Sequence, residues 1–391
     1  MHLPPINKLD PEQQAFLEKI SAFVDNSKFK NQWIKGFAGS GKSVLLAYSA
    51  KIILTKKPNA KIIVIVFTWS LVEMFKIDLK RMGLSSKVSV DTYYSFINSN
   101  EYYDFILCDE VQDLTSSVLK TMLQRSNHVI VAGDSNQSIY ERDPKWNEPT
   151  MTPSNIDSIL NGESYKLGII HRLSRSIIRA VHEFLPDMNI FNGQRDMTKS
   201  DTQIRICNAT SESEEVNYVF EQALKAVNHG YSSAILIPTR KKILDFSNQV
   251  LKGAEKPEWV ENQNQWGKTD FRALNSHLEE NGIKLEYIGN GAGSFNENNR
   301  KVYIMTYHSA KGLDFDNVFM PYVNTSMYIS PNDSKSKTLF MVAMTRSREN
   351  LYITYSGAPN TYLDAFKGNC SNISISSTTL SSSESTNIWG F

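Results

Sequence analysis

The stretch Gly36-Phe-Ala-Gly39-Ser-Gly41-Lys42-Ser43 decides the fold. It fits the spacing G-x-x-x-x-G-K-S in full. A short apolar run, Gln32-Trp-Ile, precedes it, and a helical run, VLLAYSAKIIL, follows. Glycines at these positions let backbone N–H groups turn inward around phosphate oxygens at a helix N-terminus. Lys42 then supplies a point charge to the β- and γ-phosphates, and Ser43 supplies a hydroxyl to Mg²⁺. Strand, loop and helix in this order predict a nucleotide site on the edge of an α/β sheet.

Further along, Phe105-Ile-Leu-Cys-Asp109-Glu110 is an apolar strand ending in two acids. A strand that delivers carboxylates to the carboxyl edge of a parallel sheet puts them beside the P-loop. Asp109 would hold Mg²⁺ and Glu110 would polarise the attacking water.

Short β-branched runs recur: Ile62–Phe67, Phe105–Cys108, Val129–Ala132, Ala234–Ile237, Val302–Met305, Val318–Met320 and Leu351–Thr354. Helical stretches separate most of them, the pattern of mainly parallel sheets covered on both faces. The runs fall into two sets, predicting one domain over 1–160 and a second over 161–366. Glu141–Asn161, with three prolines, reads as the linker. Residues 253–300 read as a small insertion, irregular over Gly253–Lys268 and looped over Gly289–Arg300. The Ser/Thr-rich stretch 367–391 reads as a flexible tail with an apolar end at Ile388, Trp389 and Phe391.

The chain has 391 residues, and 42 Lys and Arg against 41 Asp and Glu leave a net charge of +1. That balance excludes a histone-like polycation, so nucleic-acid binding must come from a local groove. Cys108, Cys207 and Cys370 form no CxxC pair, which argues against a structural zinc or a disulfide framework. No run is long enough to cross a bilayer and the N-terminus lacks a signal layout. The expectation is a cytoplasmic protein with no membrane contact.

Taken together, the motifs resemble those of UvrD/Rep-like superfamily 1 helicases, in order and over nearly the whole folded chain. Asp109-Glu-Val-Gln-Asp113 is similar to motif II, and Leu9-Asp-Pro-Glu-Gln13 to the Q-motif. Val66-Phe-Thr68-Trp69 is similar to motif Ia, and Val90-Asp-Thr92-Tyr93-Tyr-Ser-Phe to motif Ib. Ala132-Gly-Asp134-Ser-Asn-Gln137-Ser-Ile-Tyr140 resembles motif III and Leu167-Gly-Ile-Ile-His171-Arg172 motif IV. Thr306-Tyr-His308-Ser-Ala-Lys311-Gly312-Leu-Asp314-Phe resembles motif V, and Val342-Ala-Met-Thr345-Arg346-Ser-Arg348 motif VI.

The resemblance implies two RecA-like P-loop NTPase domains with an ATP cleft between them. Lys42, Asp109 and Glu110 would form one wall, and Arg172 and Arg346 would approach the γ-phosphate from the other. Gln137 would sense that phosphate. Gln13, Gly36, Gly39, Ser40, Gly41, Ser43, His171, Gly312 and Asp314 would complete the nucleotide site. His171 stands where the family stacks a Tyr on adenine, and Asp314 where it has a Glu on the ribose. Thr68, Trp69, Thr92, Tyr93, Tyr140 and His308 are the implied nucleic-acid contacts. Arg142 takes the place of a further family aromatic, for which Trp146 is the candidate substitute.

The architecture departs from full-length members. Only 40 positions separate Trp69 from Asp109, and 134 separate Arg172 from Thr306, too few for the two large accessory subdomains. The leading expectation is an ATP-dependent translocase or helicase on single-stranded DNA or a tailed duplex, 3′→5′ by resemblance. The alternative is a nucleotide-switched ATPase subunit that gates a partner nuclease or effector.

Overall fold

The structure, a computed structural model, describes residues 3–375 apart from 25, 27–28, 135–140, 144, 189–193, 196–200, 266, 290 and 297–298. Gln137, Tyr140 and the apolar C-terminal end therefore lie outside the described residues.

The first lobe runs α1 (Pro11–Phe23), β1 (Gln32–Gly36), α2 (Lys42–Lys56), β2 (Ile62–Val66), α3 (Trp69–Arg81), β3 (Val88–Thr92), α4 (Tyr93–Asn98), β4 (Tyr103–Cys108), α5 (Ser116–Gln124), β5 (Ser126–Gly133), α6 (Pro153–Leu160) and β6 (Glu163–Leu167). Its six strands pair in the order β3-β2-β4-β5-β1-β6, parallel throughout. All five residues of β2, IIVIV, are buried, as expected for a central strand with helices on both faces. Ile62, Val64 and Val66 pack towards α2 and α3, while Ile63 and Ile65 pack towards α4 and α5. Each such side chain contributes about 1.5–3 kcal/mol by leaving water.

Next come β7 (Ile169–Ile170), α7 (Arg175–Phe184) and β8 (Gln194–Arg195). The second lobe continues with β9 (Gln203–Ala209), α8 (Glu212–Asn228), β10 (Ser233–Ile237), α9 (Arg240–Gly253), α10 (Phe271–Glu280), β11 (Leu285–Tyr287), β12 (Val302–Thr306), β13 (Phe315–Met320), α11 (Asp333–Met344), β14 (Ser347–Ser356) and β15 (Ser371–Ser374). Its seven strands pair in the order β11-β12-β10-β13-β14-β9-β15, again all parallel. The fold is α/β, with two large parallel sheets and a two-stranded parallel pair, β7-β8, among the described residues.

Three boundaries differ from the sequence expectation. The first sheet takes its sixth strand from Glu163–Leu167, beyond residue 160, and the expected linker contains α6. Residues 253–300, expected as an irregular and looped insertion in the second domain, also supply regular elements: α10 packs on β11, and β11 is an edge strand of the second sheet. Ser371–Ser374, expected as tail, pairs with β9 at the opposite edge. One buried cluster runs through both lobes, joining Leu71 and Val72 of α3 to Tyr307, Ala310 and Leu313 of the second lobe.

Candidate active site and nucleic-acid groove

Parallel strands put the ends of β1 and β4 on one edge, two strands apart in the sheet. The P-loop leaves β1 there, and Asp109 and Glu110 leave β4. Gly39 has φ +78°, and a Cβ there would lie 2.4 Å from Arg172 Cβ. Only glycine fits this close approach. The Gly39 carbonyl accepts from the backbone N–H of His171 at 2.9 Å and of Arg172 at 3.2 Å. Thus the P-loop tip and the His171-Arg172 pair are one unit, a contact between distant parts of the sequence that no local pattern shows.

A cavity of about 450 Å³ opens between the lobes. Gly39, Gly41, Lys42, Ser43, Glu110, Gln13, His171 and Arg172 line it from one side, and Gly312, Asp314 and Arg346 from the other. Gly36, Ser40 and Asp109 stand behind this surface. Pro4 and Lys8, not singled out in the sequence, also line it, as does Arg348, quoted in a motif without a role.

Lys42 Nζ donates to the carbonyls of Gly36 at 2.8 Å and Phe37 at 2.9 Å. Ser43 Oγ donates to Asp109 Oδ2. Burial pushes the Asp109 carboxyl up, and neighbouring Glu110 adds to this. Burial also pushes Glu110 up, but Lys311 and Lys42 override it and hold the carboxyl below its usual range. Gln112 Nε2 donates to Glu110 Oε2, and Gln112 Oε1 accepts from the N–H of Asp134 at 3.1 Å. Gln112 so ties Glu110 to the end of β5. Lys311 of the second lobe is ion-paired with Asp113 and lies 3.5 Å from Glu110 Oε2. Gln112, Asp113 and Lys311 stood in the quoted motifs without a role.

The two arginines differ in their surroundings. Arg346 is 2% exposed; its Nε donates to Val342 O at 2.8 Å and its Nη2 to Thr345 Oγ1 at 2.9 Å. Burial and the nearby Arg172 charge push its pKa well down, while Glu110 and Asp314 oppose them. Burial also lowers Arg172, with Asp314 and Glu110 opposing.

Two expected base and sugar contacts have protein partners. His171 Nε2 shares a hydrogen bond with Asp10 Oδ2, and Asp10 caps α1 in a reciprocal box with Gln13. Gln13 Nε2 donates to Ser40 O at 2.9 Å. Asp314 accepts a fork from Arg348, at 3.0 and 3.1 Å. Burial raises the Asp314 carboxyl, but Arg348 outweighs it and holds the group well below the usual range.

For Mg²⁺ the donor set fits. A buried carboxylate touching the first helical hydroxyl offers two hard oxygens beside the phosphate loop. Among the described residues no larger cluster of ligating side chains exists. Mg²⁺ asks for no all-protein cage, since phosphate oxygens and water complete its shell.

A second, larger cavity of about 1190 Å³ lies at the carboxyl ends of β2, β3, β10, β11 and β12. Thr68, Trp69, Thr92, Tyr93 and His308 all line it. Trp69 is 54% exposed. Tyr93 is not an open platform: it is buried, stacked on Phe67 at 5.0 Å and edge-on to Trp146. The neighbouring Tyr94 is the more exposed ring, with Lys145 Nζ 3.2 Å from its centroid. Trp146 packs at 5.9 Å from Tyr94, so it supports the wall. His308 is pushed down to about 4 by burial, Lys335 and Arg240, which makes it neutral near pH 7. The cations lining the groove are Arg240 and Arg272, missed in the sequence because neither lies in a quoted motif. Thr68 and Thr239 line the groove and cap the N-termini of α3 and α9.

This fold and cleft define a P-loop NTPase built of two α/β lobes. A model of the UvrD-like helicase C-terminal domain matches residues 258–358, and one of an AAA domain matches residues 20–143. The chain is UvrD/Rep-like. It is 27% identical over 143 residues to a probable DNA helicase II homolog of Mycoplasma capricolum. That alignment covers 33% of this chain and 18% of the relative, so the chain spans under a fifth of that protein. The C-terminal domain of a possible DNA helicase from Lactobacillus plantarum is 16% identical. It aligns over 52% of this chain and 98% of its own, with a TM-score of 0.33. Among the described residues no helix is long and apolar enough to cross a membrane.

Proposed function

We propose that this chain is an ATPase that moves along single-stranded DNA, 3′→5′, with ATP hydrolysed between the lobes. The observation that carries the reading is the single cavity lined by Lys42, Glu110 and Arg172 from one side and by Arg346 from the other. Negative charge spreads over the transferred phosphoryl group, and fixed cations on both sides stabilise it.

Lys42 leaves the Gly36 and Phe37 carbonyls for the phosphates. Ser43 and Asp109 hold Mg²⁺, which when bound neutralises phosphate charge. Glu110, kept ionised by Lys311 and Lys42, accepts the proton of the attacking water. Arg172 and Arg346 face the phosphoryl group. Arg346's hydrogen bonds go to a hydroxyl and two carbonyls, with the Glu110 and Asp314 carboxylates acting on it only through their charge. His171 flanks the base and Asp314, through Arg348, the sugar side. The strand lies in the second cavity, with bases on Trp69 and Tyr94 and phosphates at the starts of α3 and α9 and at Arg240.

Strand separation needs a grip on the duplex. Among the described residues, only β3 and α4 lie between α3 and β4, and only α10 and β11 between α9 and β12. The isolated monomer therefore unwinds weakly and relies on a protein partner or several copies. Buried free thiols at Cys108 and Cys207 suit a reducing compartment, the cytoplasm.

The test is steady-state ATPase with and without single-stranded DNA, alongside Lys42→Ala and Glu110→Gln. Strand-stimulated turnover that both substitutions abolish supports the reading, with ATP still bound by Glu110→Gln. Turnover indifferent to strands points instead to the nucleotide-switched subunit.

A further inference from the structure

The geometry points to Leu71 as the residue that couples the two cavities, an assignment resting on their reading as ATPase cleft and strand groove. Leu71 lines neither cavity. It sits in the first turn of α3, its N–H donated to Thr68 Oγ1 at 3.4 Å, and it is 2% exposed. Its neighbours Thr68, Trp69, Ser70 and Glu73 line the groove. Its own side chain reaches across the seam between the lobes. A Cβ on Gly312 would lie 2.4 Å from Leu71 Cδ2 and 3.2 Å from Cδ1 and Cγ. Gly312 has φ +83° and lines the nucleotide cleft. One leucine thus joins a groove-lining helix turn to a cleft-lining residue.

Both ends of this contact are stiff. On the second lobe, Ala310 N–H donates to Thr306 O at 3.0 Å and Leu313 N–H to Ala310 O at 3.1 Å, closing the turn. Lys311 within it is ion-paired with Asp113 and Glu110 of the first lobe. On the first lobe, Leu71 belongs to a capped helix of 13 residues. A close-packed seam answers a small displacement by moving the neighbouring element, not by compressing. Closure of the cleft on the γ-phosphate shifts the Ala310–Leu313 turn. Leu71 passes that shift to the start of α3, where Thr68 and Trp69 meet the strand. The same contact must work in reverse, since a coupling free energy is reciprocal.

The experiment uses the full chain carrying Leu71→Ala, Leu71→Val or Leu71→Met, a fluorescent oligo-dT and a non-hydrolysable ATP analogue. Five quantities are read: basal kcat, KM for ATP, oligo-dT Kd without nucleotide, the change in that Kd on adding analogue, and strand-stimulated kcat. In Leu71→Ala the first three stay within about twofold, while the analogue response and the stimulation each fall about tenfold towards none. Leu71→Val falls between, and Leu71→Met restores both. Full stimulation and analogue response in Leu71→Ala and Leu71→Val would overturn the role of Leu71 alone. So would a parallel loss of every quantity together with Tm, which marks mere destabilisation. A parent protein that strands do not stimulate would overturn the functional reading itself, and the coupling with it.

Discussion

Methionine in place of Lys311 keeps the reach of the side chain and removes its charge. Lys311 is 3% exposed and its partner Asp113 is fully buried. Removing one member of a buried ion pair strands the other, at about 3–5 kcal/mol. Unfolding entropy near Tm is about 2.1 cal/mol/K per residue. For 391 residues that gives about 0.8 kcal/mol/K, so the loss lowers Tm by about 4–6 °C. Glu110 changes as well. Burial pushes its carboxyl up, and Lys311 is the largest of the charges holding it down. A carboxyl depressed in the folded state adds stability above its unfolded pKa and loses it as pH falls through the folded one. The deficit of Lys311→Met is therefore largest at neutral pH and shrinks on acidification. Calorimetric melts of the parent, Lys311→Met, Asp113→Asn and the double variant, from neutral pH down through the carboxylate range, measure it. The double variant recovers part of the loss, since the stranded charge is gone. Unchanged Tm in Lys311→Met, or losses that simply add in the double variant, would refute the interlobe pair.

Asp109→Asn abolishes hydrolysis yet raises Tm in metal-free buffer at neutral pH. Burial raises the Asp109 carboxyl in the folded state, so its ionised form opposes folding above that raised pKa; a lower Tm would contradict this. Gly39→Ala forces an L-residue into φ +78° at about 1–2 kcal/mol and drives a methyl into Arg172, so kcat drops steeply while Tm drops little. Normal turnover in that variant would show that the Gly39–Arg172 contact does not matter to catalysis. Arg172→Ala and Arg346→Ala each lower kcat by at least about a hundredfold with a smaller effect on nucleotide binding, as single-turnover hydrolysis and equilibrium titration would show.

Central strands were readable because burial on both faces demands an unbroken β-branched run, as in IIVIV of β2. Edge strands were not. ESYKL of β6 and SNIS of β15 carry polar residues towards solvent and read as connection or tail. Leu285–Tyr287 is three residues long, too short to give a period. The P-loop and the Asp109-Glu110 strand end announce chemistry by local spacing, and the cleft brings them together. What spacing cannot carry is contact between distant segments. Gly39 against Arg172, Asp10 with His171, and Lys311 with Asp113 each join far-apart parts of the chain. Tyr93 shows a further limit: its motif position marks the groove, which it lines, but not that its ring is buried against Phe67.

The central claim is that ATP hydrolysis between the lobes drives directed motion along a strand. Stopped-flow translocation on oligo-dT of increasing length, with a fluorophore on either end and excess heparin as trap, tests it most directly. The account predicts an ATP-dependent lag that lengthens in proportion to oligonucleotide length when the fluorophore is at the 5′ end, and no such lag when it is at the 3′ end. A signal with no length dependence at either end, while ATP is being hydrolysed, would contradict it.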